Sequence, residues 1–190
     1  TAKMLWGVYF LLTLVEALLL MFGGMSGFDA ICHSFATMAT GGFSTQNTSV
    51  AAYNSSYIDG VITLFMVLAG INFALHFQVL RGKTEEFIRS EELRVYLGII
   101  AIATVIIMIF NWSDGIYHHF GENFRYSIFQ VSSIITTTGF ATADFELWSV
   151  LPQYILVLLM FIGGCAGSTG GGIKVARILL IFKHAPVSYT

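Results

Sequence analysis

From Met4 to Phe22 the chain runs for 19 residues with one ionisable group, Glu16. A helix of that length crosses a hydrocarbon core of about 30 Å. Only 11% of the 190 residues are charged and 56% are hydrophobic, where soluble domains carry about a quarter charged residues. The solvent of this chain is therefore lipid. No small-residue cleavage site follows the run, so it does not read as a signal peptide. The chain opens on Thr1 rather than Met, as expected of a piece of a longer polypeptide.

Further apolar stretches lie at Val61 to Phe77, Val95 to Phe110 and Tyr154 to Phe182, the last interrupted by a glycine-rich run from Gly163 to Gly172. Between the first two spans, Phe28 to Ala39 is too short to cross and reads as a re-entrant helix; Phe124 to Ile135 stands in the same place between the last two. The order is long, short, long, twice. The halves also repeat in sequence, because Thr40-Gly-Gly-Phe-Ser-Thr45 matches Thr137-Thr-Gly-Phe-Ala-Thr142 at a shift of 97. The fold class expected is an all-α membrane protein of two tandem units, each a helix, a re-entrant pore helix with its loop, and a helix. The units span residues 1–80 and 95–190, joined by a solvated linker over 81–94.

Eight of nine basic residues lie before span one, in the linker or in the last stretch of span four; only Arg125 falls on the other side. Cytoplasmic loops carry the excess of Lys and Arg, which puts both ends and the linker in the cytoplasm. Net charge of −2 and the absence of a basic tract interleaved with aromatics give no reason to expect nucleic acid. Cys32 and Cys165 lie in apolar surroundings, arguing against a disulfide framework or a zinc cluster.

A re-entrant helix of about 12 residues ends near mid-membrane, where its unpaired carbonyls and macrodipole favour a cation. Ser26 with Asp29 makes a capping pattern for the first such helix, and Asn123 can cap the second. Thr40, Gly41, Gly42 and Phe43, and Thr137, Thr138, Gly139 and Phe140, follow the two helices directly. Irregular backbone at that depth either lines a watery path or is buried in protein. Glycine at positive φ lets successive carbonyls turn to one side and face a dehydrated ion; a plain glycine turn is the alternative. The run Gly163 to Gly172 is a poor helix interior, at about 1 kcal/mol per glycine against alanine, and close helix packing is its simplest explanation.

These motifs resemble the Trk/Ktr/HKT superfamily of potassium transporters, in its bacterial Trk-like branch. Thr-x-Gly-Phe occurs twice after a short helix, and the specific run Gly167-Ser-Thr-Gly-Gly-Gly-Ile-Lys174 occupies the final span. The resemblance covers nearly the whole chain and matches it to the third and fourth of four pore units. It implies potassium bound by filter residues Thr40 to Phe43 and Thr137 to Phe140, with Gly42 and Gly139 as filter glycines. It also implies a gate formed by an intramembrane loop at Gly70, Ile71, Asn72 and Phe73 together with Arg177. The implied function is potassium uptake across the bacterial inner membrane, with no organic cofactor and no enzymatic activity. Implied partners are membrane lipid, two further pore units in the same polypeptide or a second chain, a second copy forming a homodimer, and a cytosolic nucleotide-binding regulatory subunit.

Other readings stay open beside this one. Arg177 and Lys174 could be residues snorkelling to headgroups; Glu16 is expected to hold a structural hydrogen bond; His33 and His76 read as helix-packing histidines. A phosphate loop fails because Ile173 stands where glycine must precede Lys174. An intramembrane hydrolase using Ser168 lacks a glycine at Ala166 and an evident His–Asp pair. A non-conducting accessory subunit is the remaining alternative.

Overall fold

The computed structural model describes residues 2–184. Among them two helices are long and apolar enough to span a membrane, Lys3–Phe22 within α1 (Ala2–Phe22) and α6 (Glu91–Ser113). Short helix α2 (Gly27–Met38) follows α1, and α7 (Phe120–Ile135) follows α6. The second span of the first half is broken: α3 (Ser56–Ala69) and α4 (Phe73–Leu80) meet at 102° across Gly70, Ile71 and Asn72. Its counterpart is α8 (Val150–Phe161), an irregular glycine loop, and α9 (Val175–His184). Between the halves lies the short helix α5 (Thr84–Arg89).

Burial inverts the usual rule, as lipid demands. On α1, Trp6, Phe10 and Phe22 are exposed, while Val8, Thr13, Glu16, Ala17 and Leu20 form the buried stripe that packs on α2, α3 and α4. In the second half α6 and α8 close around α7, and Tyr96, Ile100, Ile107, Val131, Ile135 and Leu156 make the core.

The local signals act where they were expected at α2. Ser26 Oγ accepts from Asp29 N at 3.1 Å and donates to Asp29 Oδ2 at 2.8 Å. Thr45 Oγ1 donates to the other carboxyl oxygen at 2.6 Å, and these hydroxyls, Thr45 foremost, hold the Asp29 carboxyl below the usual carboxylate range.

Three expectations need correction. α7 begins at Phe120, not Phe124, and Asn123 does not cap it; buried inside the first turn, it donates to Met108 O at 2.9 Å and accepts from Ser127 Oγ at 3.1 Å. The 81–94 linker is not all loop, because Ser90 caps α6 and Glu91 and Glu92 favour its positive first turn. Glu16 is fully buried, yet neither carboxyl oxygen has a donor among the described residues. Thr37, the hydroxyl beside it, donates instead to His33 O at 2.8 Å.

The halves meet where α3 packs against α7. Asp59 on α3 is 3% exposed and lies 3.5 Å from Arg125 Nε on α7. Arg125 also donates to Ser56 Oγ and stacks on the Tyr126 ring. Removing one member of such a pair strands the other charge, at a cost of about 3 kcal/mol or more. Arg125→Met in the full-length protein is therefore expected to lower thermal stability in detergent. Adding Asp59→Leu to it is expected to restore part of the loss, which a double-mutant cycle by fluorescence thermal denaturation checks.

Candidate functional site: two loop segments over a glycine loop

The two segments that follow the short helices share one backbone. At the end of α2, Thr40 N donates to Thr37 O at 3.0 Å, Gly41 N to Ala36 O at 2.8 Å and Gly42 N to Ala36 O at 3.4 Å. At the end of α7, Thr137 N donates to Ile134 O at 3.0 Å, Thr138 N to Ser133 O at 2.9 Å and Gly139 N to Ser133 O at 3.3 Å. Every partner is shifted by the same 97 positions. Thr40 and Thr137 sit at φ 51° and 59°, and Gly42 and Gly139 at φ 66° and 89°. Each segment thus alternates left-handed and ordinary conformations, which turns neighbouring carbonyls toward one side.

Left-handed glycine is unstrained, but left-handed threonine is costly, at about 1–3 kcal/mol for such an outlier. Something must hold it. Thr40 Oγ1 lies 3.0 Å from Thr169 O, and Gly171 N donates to Thr137 Oγ1 at 2.7 Å. Both partners belong to the glycine loop, which therefore lies against the helix-proximal ends of both segments.

That loop is folded on itself. Gly163 N donates to Ile173 O at 2.9 Å and Ile173 N to Phe161 O at 3.1 Å. A Cβ at Gly163 would collide with the Gly171 carbonyl, so close backbone approach is one reason for the glycines. The loop also serves the break in the other span: Cys165 N donates to Gly70 O at 2.8 Å, Phe73 N to Gly167 O at 3.2 Å, and Thr169 Oγ1 to Ala69 O at 3.2 Å. Lys174 does not snorkel outward; Nζ donates to Gly170 O and, at 3.2 Å, to Ser168 Oγ. Arg177 is exposed on α9, and among the described residues its side chain makes no hydrogen bond or ion pair. The carbonyls at Ala69 and Gly70 receive loop N–H and hydroxyl groups.

Sequence reasoning missed Glu92. Its Oε1 accepts from Ala166 N at 2.6 Å and from Ala176 N at 3.2 Å, joining the start of the glycine loop to the first turn of α9. No local signal announces contacts 74 and 84 residues away. Among the described residues no group of three or more His, Cys, Asp or Glu is placed to hold a metal ion.

Paired re-entrant helices, each ending in a left-handed Thr-x-Gly-Phe segment beside a broken span, define a pore-loop membrane protein. A family described as TrkH, cation transport protein, matches residues 1–188, and the chain belongs to that family. It is 44% identical over 185 residues to the Trk system potassium uptake protein TrkH of Escherichia coli K12, covering 97% of this chain and 38% of that protein. It is 39% identical over 187 residues to TrkG of the same organism, with the same coverage. The crystal structure of the potassium transporter TrkH from Vibrio parahaemolyticus superposes with a TM-score of 0.95 at 36% identity, covering all of this chain and 41% of that one. The chain thus spans about two-fifths of the length of these relatives. They are transport proteins and not enzymes, which removes the hydrolase reading of Ser168.

A carboxylate that holds one loop N–H and one N–H of α9 is not replaceable by a neutral amide of the same shape, since charge-assisted bonds are about twice as strong. Glu92→Gln in the full-length protein is expected to loosen the glycine loop, raising hydrogen exchange at Ala166 and Ala176 while leaving α1 and α2 unchanged. Exchange mass spectrometry in detergent or nanodiscs reads both regions at once.

Proposed function

We propose that this chain supplies two of the four pore units of a bacterial potassium uptake protein. Thr40 to Phe43 and Thr137 to Phe140 form its share of the selectivity filter, and Gly70 to Phe73 with Arg177 form its gate. The observation that carries this reading is the duplicated backbone: the same hydrogen-bond register and the same left-handed positions recur at the ends of two short helices. Carbonyls turned to one side replace an ion's water, while the carboxyl ends of α2 and α7 favour a cation beneath them. Potassium is the transported ion, and no organic cofactor takes part. An accessory, non-conducting subunit has no comparable need for strained threonines in duplicate.

The units run over 1–80 and 95–190 with a cytoplasmic linker over 81–94, and both ends lie in the cytoplasm on the basic-residue asymmetry. Two further units are supported by the two edges of the pair. A Cβ at Gly42 would collide with Thr138 O of the other unit, while among the described residues nothing lies within 4 Å of one at Gly139. Phe140 is 1% exposed against the first unit, while Phe43 is 82% exposed. By pseudo-symmetry, another unit packs on each free edge. Family likeness supports a homodimer in the inner membrane and a cytosolic nucleotide-binding regulatory subunit on the basic inner face.

Arg177 stays protonated, and unit charges about 4 Å apart interact by about 4 kcal/mol at an effective dielectric near 20. A cation leaving the filter meets that charge at the inner constriction, beside Lys174 on the glycine loop.

Two measurements on the full-length protein in liposomes test this. Gly42→Ser and Gly139→Ser are expected to lower potassium-over-sodium preference about tenfold, a loss of about 1.4 kcal/mol, with Gly42→Ser the more severe because of the Thr138 carbonyl. Unchanged preference in both, with flux retained, makes these glycines mere turn formers. Arg177→Ala is expected to raise basal potassium tracer uptake per inserted protein; uptake at or below the parent level moves the gate elsewhere.

A further inference from the structure

Beyond its glycine, each loop segment climbs away from its short helix without secondary structure of its own. Its distance from the helix is then set by whatever side chain spans the gap. In the first unit Asp29 holds Thr45 at the exposed end, and the buried side chain that spans the gap is His33, near the middle of α2. Its Nδ1 lies 2.7 Å from Asp29 O and its Nε2 lies 2.9 Å from Ser44 Oγ, the residue after Phe43. A carbonyl only accepts, so Nδ1 carries the proton and Nε2 faces the Ser44 hydroxyl.

The residue 97 positions on is Gln130, 1% exposed on α7. Its Nε2 donates to Ala143 O at 3.0 Å, on the climbing limb of the second segment. Residue types differ and the helix positions correspond, while the loop partners lie 99 rather than 97 positions apart. A buried polar side chain that merely satisfied itself would bond within its own helix, as Ser34 does to Ala30 O and Thr37 to His33 O. His33 does so through Nδ1 alone; its Nε2, like the Gln130 amide, instead reaches across to the loop. The His33 ring adds a link between units, because it stacks on Phe140 with centroids 5.7 Å apart and planes 26° apart, and meets Tyr53 edge-on.

We propose that His33 and Gln130 are a matched pair of positioning residues that fix the outer limbs of the two filter segments and thereby set cation discrimination. This rests on reading those segments as a filter. The ring of His33 has a further share, since through Phe140 it fixes the second segment as well as its own. A limb released from its helix lets the carbonyls below it relax toward smaller ions, so the predicted consequence is lost preference and not lost flux alone.

The test uses full-length protein in liposomes, with potassium and sodium tracer uptake measured in parallel. His33→Leu and Gln130→Leu are each expected to lower potassium-over-sodium preference about fivefold, the equivalent of one hydrogen bond at about 1 kcal/mol. His33→Gln keeps a polar group where Nε2 stood and is expected to stay within about twofold of the parent. Ser44→Ala removes the loop's side of the bond without touching the core, so it keeps the question open to test if a leucine variant fails to fold. It is expected to shift preference in the same direction. Parent-like preference in Ser44→Ala and in every folded leucine variant overturns the proposal. If Gly42→Ser and Gly139→Ser shift preference in that same assay, the filter reading survives the loss; if they do not, the filter reading falls with it.

Discussion

Backbone that leaves a helix at membrane depth finds no water, so each freed N–H and C=O must be met by protein. The rest of this structure depends on how that demand is satisfied. The bend between α3 and α4 frees the carbonyls of Ala69 and Gly70 and the N–H of Phe73. The glycine loop between α8 and α9 supplies Thr169, Cys165 and Gly167 to meet them. Two broken spans therefore complete each other, and the two halves are bonded at backbone level despite their internal repeat.

The part of the fold encoded in local pattern was legible. Length and apolarity marked the spans, Ser26 and Asp29 marked the start of α2, and the glycine content of 163–172 marked a place where helix could not continue. The 97-residue repeat located both loop segments, and the Gly-Ser-Thr-Gly-Gly-Gly-Ile-Lys run carried the family. The remainder depends on partners distant in sequence. Glu92 looks like an ordinary acid in a first helical turn until the glycine loop folds onto it, and Lys174 looks like an anchor until Gly170 and Ser168 turn toward it. Asn123 has the residue type of a cap, but four more residues of helix form ahead of Phe124 and its amide turns inward to Met108. Capping propensity is a weak prior wherever tertiary packing offers a better partner.

Duplication of backbone has not meant duplication of side chains. Thr40 and Thr137 share a conformation, yet the first reaches a loop carbonyl and the second receives a loop N–H. At the next level up, one unit contributes the bend and the other the loop that fills it. In the proposed reading, near-identical scaffolds with unlike partners let a pore keep four similar strands around one ion while the machinery beneath is asymmetric.

That asymmetry bears on how a gate and a filter can communicate in the proposed reading. Two left-handed threonines store about 1–3 kcal/mol each, and the bonds that hold them come from the same glycine loop that braces the bend at Gly70. Those bonds and the bracing of the bend cannot be changed independently. A shift of the loop that frees the bend also withdraws Thr169 O from Thr40 and Gly171 N from Thr137. Filter geometry and gate position are then two readouts of one loop conformation. Glu92, rooted in the first turn of α6 beside the linker, ties that loop to the helix following it. Coupling of this kind needs no long chain of intermediaries, because a single segment touches both proposed filter ends, the bend and the first turn of α6.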